Sequence, residues 1–563
     1  MKNRFLFYAL APAILFSACK REKFADINKD PDLVFANNLH PKNLFPNVAL
    51  AMHTNDFEAY YDINRNIMFW NYHWVRLAGG GVSLPAFTTP VSASSLPYRH
   101  DNLYSRETMG AGGAAVDMQH MIDIMSTTDK ARFAHIRAIT AIPKAFAAFY
   151  LSDVLGSIPY SEAFQARYTT PPNLTPKYDT QEQLYTILDA ELKASVAVLK
   201  QALPNQELLG TYDLWYRGAP NEAQNWAMAA NSLRMKIAMR MYKRKPAAAR
   251  TIITEVLADN MGPINSRAAS WVFKAGKNVA NGGNWNTFGS LSGNKVLVDF
   301  MFKNADPRIR NMYRKTRVTQ AQFAQLQANG TIPASEQYQE YRGRYISPDA
   351  TLDNSKKFYF NTLPGINVMY SSEIQTALWN AAIAQGIVNF PVITYADVCF
   401  MRAELAARAV TTENAADWYN KGIEASARDY NEWGQEANVE GFAAVSAAEI
   451  TSYINMADIK YDAAKGIEQV CVQQYINFYK NPNEAWALIK RTGYPSPTGV
   501  LLQAERFINA GNEVAMPRRW SIVLPPISDF NYQNARAAIA EMQADPNFGE
   551  LTNIKGRVWW DVP

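Results

Sequence analysis

Apolar positions recur at helical spacing through most of this chain. In "YDTQEQLYTILDAELKASVAVLK" they place Leu184, Ile187, Leu188, Leu192, Val196 and Leu199 on one face. Asp179 and Glu182, just ahead of that run, have the spacing of a capping box. "NWAMAANSLRMKIAMRMYKR" repeats the pattern through Trp226, Ala230, Leu233, Ile237 and Met241, and Pro246 breaks the chain before another helical run. "YADVCFMRAELAARA" and "NAADWYNKGIEASARDY" predict two helices joined by "VTTE", close in size to a tetratricopeptide hairpin. Small residues with Leu or Met at close helical spacing let such pairs stack tightly. The expected fold class is all-α, a tetratricopeptide-like scaffold of helical pairs.

The pattern lapses over residues 78–105, 262–295, 330–370 and 494–530, which are rich in Gly, Pro, Asn, Ser and aromatics. Stretches this long without regular structure are either functional or disordered, and the aromatic content argues against disorder. A helical scaffold carrying ordered aromatic loops is the design of a binding protein.

The N-terminus bears on location. Lys2 and Arg4 precede the apolar run Phe5–Phe16, "FLFYALAPAILF". That run has the length of a signal-peptide core and is too short for a bilayer of roughly 30 Å. Ser17-Ala18 leads directly into Cys19, which resembles a bacterial lipobox, with Phe16 where Leu is usual. Cys19 is therefore expected to be lipidated and to become the mature N-terminus. Residues 1–18 read as signal peptide, 19–45 as lipidated cysteine and polar tether, and 46–563 as one folded domain. Later in the chain no eighteen consecutive residues are apolar, so outer-membrane lipid is reached through acyl chains.

Composition narrows the chemistry. Lys plus Arg number 56 against 51 acids, and without blocks of like charge this excludes a nucleic-acid stripe. Cys399 and Cys471 fall in apolar helical contexts and read as small buried hydrophobes. Neither HxxxH, CxxC nor HExxH spacing occurs, so no metal site is expected. "GSLSG", Gly289–Gly293, puts Leu where a serine-hydrolase elbow needs the nucleophile. Asp153 and Glu162 are a carboxylate pair with no histidine or nucleophile tied to them, which favours capping and turn roles.

Several segments together resemble the SusD/RagB family of Bacteroidetes lipoproteins. "LSDVLGSIPYSEAF" is similar to its Asp-x-x-Gly-Asp-Ile-Pro-Tyr-x-Glu-Ala stretch, with Ser157 in place of the second Asp. "YDTQEQLYTILDAEL", "NWAMAANSLRMKIAMR", "FKNADPRIRNMY", "YADVCFMRAELAARA" and "QYINFYKNPNEAWALIKRTGYP" match later family segments in order. "MPRRWSIVLPPISDFNYQNARAAI" and "RVWWDVP" complete the series. The resemblance implies four tetratricopeptide-like pairs, an irregular half bearing the ligand site, no catalysis and no cofactor. It implies a SusC-like TonB-dependent transporter as partner, with the protein facing the cell exterior. The implied ligand is an oligosaccharide or, in some members, a peptide.

Sugar rings present C–H faces that stack on aromatic planes, while amides and charged groups bond their hydroxyls. The candidate contacts are thus loop aromatics with polar neighbours. "FWNYHW" supplies Trp70 and Trp74, one helical turn apart, and "LPYRHDNLY" supplies Tyr98 and Arg99 from a loop. "NGGNWNTFG" sets Trp285 between Asn284 and Asn286, and "EQYQEYRGRY" offers Tyr338, Tyr341 and Tyr345 beside Arg342. Core packing competes for the tryptophans and a solvated helical face for the tyrosines. A peptide-binding uptake protein and a secreted glycoside hydrolase, with two carboxylates about 5–10 Å apart, stand as alternative functions.

Overall fold

The computed structural model describes residues 39–76, 84–88, 96–104, 110–280, 285 and 291–563. The signal peptide, Cys19 and most of the tether lie outside the described residues, as do Asn284, Asn286 and the glycine bend at 78–82. Helix outweighs strand by about 51% to 6%, so the all-α expectation holds.

The scaffold comprises helices α1 (Phe45–His53), α2 (Arg99–Tyr104), α3 (Ala111–Asp123), α4 (Ala134–Leu155), α5 (Gln181–Leu199), α6 (Glu222–Met241) and α7 (Pro246–Ala258). Its second half adds α8 (Tyr395–Ala407), α9 (Ala415–Glu436), α10 (Gly466–Asn477) and α11 (Pro482–Thr492). Helix α4 packs on α3 and α5, α5 on α6, and α6 on α7, while α8 packs on α9 and α10. The predicted face of α5 is the buried one, with Leu184, Leu188, Leu192, Val196 and Leu199 inside. Its cap falls one residue later than the spacing suggested. Thr180 and Gln183 form the capping box, because Asp179 is already engaged by Tyr160 N–H, Ser161 N–H and the Ser161 hydroxyl. Gly156 ends α4 at φ 79°, a backbone state open to glycine without strain.

Helix α6 is buried on nearly all sides, charges included. Each inward cation meets acids from other helices: Arg234 reaches Asp189 at 2.7 Å and Glu255 at 2.6 Å. Arg240 reaches Asp153 and Glu484, both at 2.9 Å, and Lys236 lies 3.3 Å from Glu484. Asp153 is thus a structural anchor, and Glu162 serves the turn by accepting from Lys177 N–H at 3.1 Å. Arg491 grips Glu404 with two bonds of 2.5 and 2.7 Å. Burial pushes the Glu484 pKa up, but Arg240 and Lys236 outweigh it and hold it at about 2. A depressed carboxylate stabilises the fold fully above its ordinary value of 4.5 and loses that contribution as pH falls toward 2. The denaturant midpoint should therefore drop between about pH 5 and pH 3, and drop less in Glu484→Gln; equal slopes would refute this.

Cys399 and Cys471 are fully buried, as expected, and burial pushes both thiols up to about 12. Iodoacetamide at about pH 8 should leave both unmodified in folded protein and alkylate both after unfolding, read by mass spectrometry. Helix α4 is long and apolar enough to cross a membrane, but 89% of its apolar window is buried inside the protein, so it is a core helix.

Two antiparallel ribbons pin the irregular half to the scaffold. β1 (Trp74–Arg76) pairs with β3 (Leu291–Gly293), and β2 (Trp271–Ala275) pairs with β4 (Val388–Ile393). The stretch 262–295, expected to be irregular, therefore contributes two strands, and Trp271, Phe273 and Ala275 face inward by alternation. A separate small core gathers Val318, Phe323, Leu326, Phe358, Tyr359 and Tyr370.

Candidate functional site

After α1 the chain forms a ten-residue π-helix, Glu58–Ile67. π-Helices are rare, usually single-turn, and concentrate at functional positions. This one carries a surface aromatic platform. The rings of Phe57 and Tyr61 stack 6.0 Å apart at 11°, and Tyr98 stacks on both, 5.4 Å from Phe57 and 5.1 Å from Tyr61. Tyr60 meets Tyr61 edge-on at 4.6 Å. Phe57 remains 48% exposed, and Tyr60, Tyr61 and Tyr98 are half-buried. The exposed part of the Phe57 ring and the stacked tyrosines together present a flat aromatic surface to solvent.

Beside the platform opens a cleft of about 720 Å³ including its mouth, with walls supplied by His53, Asn55, Tyr150, Trp285, Phe390 and Lys480. Asn55 joins cleft to platform, donating from Nδ2 to the Tyr98 carbonyl and to Asn102 Oδ1, both at 3.0 Å. His53 stacks on Phe273 at 4.6 Å, and its Nε2 accepts from Trp215 Nε1–H at 3.1 Å. Burial lowers the His53 pKa to about 3, so the ring is neutral and an acceptor. Lys480 Nζ lies 3.9 Å from the Trp379 ring centroid and donates to the Leu378 carbonyl, and burial drives its pKa down.

Under the platform, Arg99 is 1% exposed and anchors two acids. Its backbone N–H donates to Asp62 Oδ2 at 3.0 Å, and its side chain lies 3.7 Å from Glu58 Oε1. Burial raises the Glu58 and Asp62 pKa values, and Arg99 works against it. The guanidinium also donates to Asn483 Oδ1 at 2.7 Å and covers the Tyr150 ring at 4.0 Å. This network fixes the π-helix onto α2, α4 and α11.

The sequence candidates divide accordingly. Tyr98 is part of the platform, and Trp285 lines the cleft, edge-on to Phe390 at 5.6 Å. Trp70 and Trp74 are corrected to core residues with no exposed surface. Trp70 packs on Trp486 and Trp520 and donates to the Ala86 carbonyl, while Trp74 meets Trp379 at 4.9 Å. They do not share a helical face, because the helix ends at Trp70, Tyr72 turns at φ 59° and Trp74 begins a strand. Arg99 opens α2 and holds structure together, so it is not a free loop cation. Tyr338, Tyr341 and Tyr345 stand elsewhere. Tyr341 is buried against Phe302, and Tyr338 and Tyr345 pack on the small second core.

Phe57, Tyr60 and Tyr61 were missed. Their signal is present in "NDFEAYYDINRN": three aromatics at i, i+3 and i+4 within an otherwise polar segment.

Residues 112–522 match the profile of a SusD-like family described as "Starch-binding associating with outer membrane". Comparison with curated protein sequences gives no match. Among solved structures, a chitin-binding protein aligns at 22% identity and TM-score 0.69, covering 93% of this chain and 100% of its own. A Bacteroidetes SusD-like protein aligns at 22% and 0.66 with the same coverage. A chitin-binding SusD homolog from Flavobacterium johnsoniae aligns at 20% and 0.64, covering 93% and 99%. With the helical-pair scaffold, the irregular half and the family profile in agreement, the chain belongs to the SusD-like family of outer-membrane nutrient-binding proteins.

Proposed function

We propose that this protein is a cell-surface lipoprotein that captures an oligosaccharide and passes it to a SusC-like TonB-dependent transporter. The observation that carries the reading is the platform of Phe57, Tyr61 and Tyr98, with a half-exposed ring beside an amide-edged cleft. A pyranose face can lie on these rings while Asn55 and Asn481 at the cleft supply polar contacts. Family membership and the chitin-binding relatives support a carbohydrate ligand. Cys19, lipidated, would tether the body to the outer membrane, and confinement beside a pore makes modest affinity sufficient, about −4 to −8 kcal/mol.

The protein acts by binding, without covalent chemistry. Glu58 and Asp62, the carboxylates beneath the platform, are both buried and held by Arg99, a poor arrangement for general acid–base work. The stacked aromatics favour a glycan over a peptide. Calorimetry against neutral and acidic oligosaccharides and peptides, with a sugar-release assay on the same preparation, tests the reading. Saturable glycan binding without turnover supports it, whereas steady sugar release, or binding of peptides alone, overturns it.

A further inference from the structure

A second cleft, of about 940 Å³ including its mouth, opens on the other side of the β2–β4 ribbon. Strand β2 divides the two clefts. Phe273 turns inward and stacks on His53, whereas Val272 and Lys274, on the alternate face, line the second cleft. Trp215, Tyr216 and Trp433 supply its aromatic walls. Its charged wall is a ladder of groups in direct contact. Arg267 Nε donates to Asp429 Oδ1 and Nη2 to Glu432 Oε2, both at 2.6 Å, and Lys274 Nζ donates to Glu432 at 3.3 Å and Glu436 at 2.6 Å. Three acids thus share two cations, and the neighbouring Arg217 spends its Nη2 on the Lys274 carbonyl. Glu432 and Glu436 also sit at the C-terminal end of α9, where the helix dipole favours positive charge.

One acceptor in this ladder is left over. Asp429 is 5% exposed, and its Oδ2 has no hydrogen-bond partner among the described residues. By contrast, both oxygens of buried Asp153, Asp306 and Asp561 accept from arginines. A buried carboxylate oxygen without a donor is costly, and a ligand that brings one removes the cost.

We propose that this cleft is a second ligand site, for a primary ammonium group carried by an amino sugar or by an aliphatic amine. An ammonium offers three N–H donors and a positive charge, so it supplies both the donor that Asp429 Oδ2 lacks and the cation that the ladder lacks. The aromatic walls favour a cation over a neutral group of the same size. Burial pushes the Asp429 pKa up to about 7 against the pull of Arg267, and Glu432 and Asp397 add to the rise, which fits a carboxylate short of positive charge. Neither Phe57, Tyr61 nor Tyr98 borders this cleft, so the site is independent of the platform.

The test is calorimetry of the wild-type chain and Asp429→Asn with glucosamine, glucose, butylamine and butanol. At low salt at least one amine should bind saturably and at least about tenfold tighter than its neutral counterpart, and added salt should shrink the margin. The tighter amine identifies the source, an amino sugar or an alkyl amine. Asp429→Asn should lose the margin, because the amide can keep the contact with Arg267 but carries no charge. If that variant fails to fold, Glu432→Gln takes its place, at a side chain 45% exposed, and should cut the margin by about threefold. Amines that bind no tighter than their neutral counterparts overturn the proposal. So does a margin that survives Asp429→Asn and is lost in Phe57→Ala/Tyr61→Ala, since the amine would then lie on the platform.

Discussion

Phe57→Ala/Tyr61→Ala should weaken oligosaccharide binding by about a hundredfold or more, measured by calorimetry against the best-binding glycan. Aromatic anchors at a binding surface cost about 2 kcal/mol or more when truncated, and each 1.4 kcal/mol is tenfold in affinity. Phe57 and Tyr61 each stack on the other and on Tyr98, so the two losses couple. The fold should persist, because Phe57 is half exposed and the π-helix is held from beneath by Arg99, Glu58 and Asp62. Unchanged affinity in a variant that melts like the wild type would remove the platform from the binding site.

The largest expected loss of stability comes from Asp306→Ala. Arg308 and Asp306 are both fully buried, paired at 2.6 Å in the Asp-Pro-Arg turn. Arg308 also donates to Ser426 Oγ, the Tyr453 hydroxyl and Gln473 Oε1, so one guanidinium ties the turn to α9 and α10. Deleting the carboxylate leaves a buried charge with only neutral acceptors, at a cost of about 3–5 kcal/mol. Removing both charges in Asp306→Leu/Arg308→Met should recover much of that loss, since most of it is the stranded cation. Denaturant unfolding of the three proteins checks this, and a double variant weaker than the single one would contradict it.

The scaffold was legible because helical periodicity reports burial directly. Leu184, Leu188 and Leu192 repeat at three to four residues, and burial of one face is what a helix pair needs. Individual polar pairings were not, because their partners lie far away in sequence. Arg491 meets Glu404 across 87 positions and Arg240 meets Glu484 across 244, distances at which spacing carries no signal. The site was half legible for a related reason. An aromatic in a sequence states only that it must be covered or used, and Trp70 and Phe57 look alike until the neighbours are known. Trp70 finds Trp486 and Trp520, brought from the other end of the chain, whereas Phe57 finds Tyr98 and water. Polarity of the surrounding segment was the usable clue, and it favoured "NDFEAYYDINRN" over "FWNYHW".

Residues 557–563 act as a clasp on the helices read hundreds of positions earlier. Trp560 is buried and its backbone N–H donates to Gln181 Oε1, Arg244 donates to the Trp559 carbonyl, and Lys243 reaches the Val562 carbonyl across 319 positions. Partners 319 and 379 positions apart must meet before α5 and the end of α6 are latched, so this closure carries the entropy of a very long loop and every intervening element is enclosed by it.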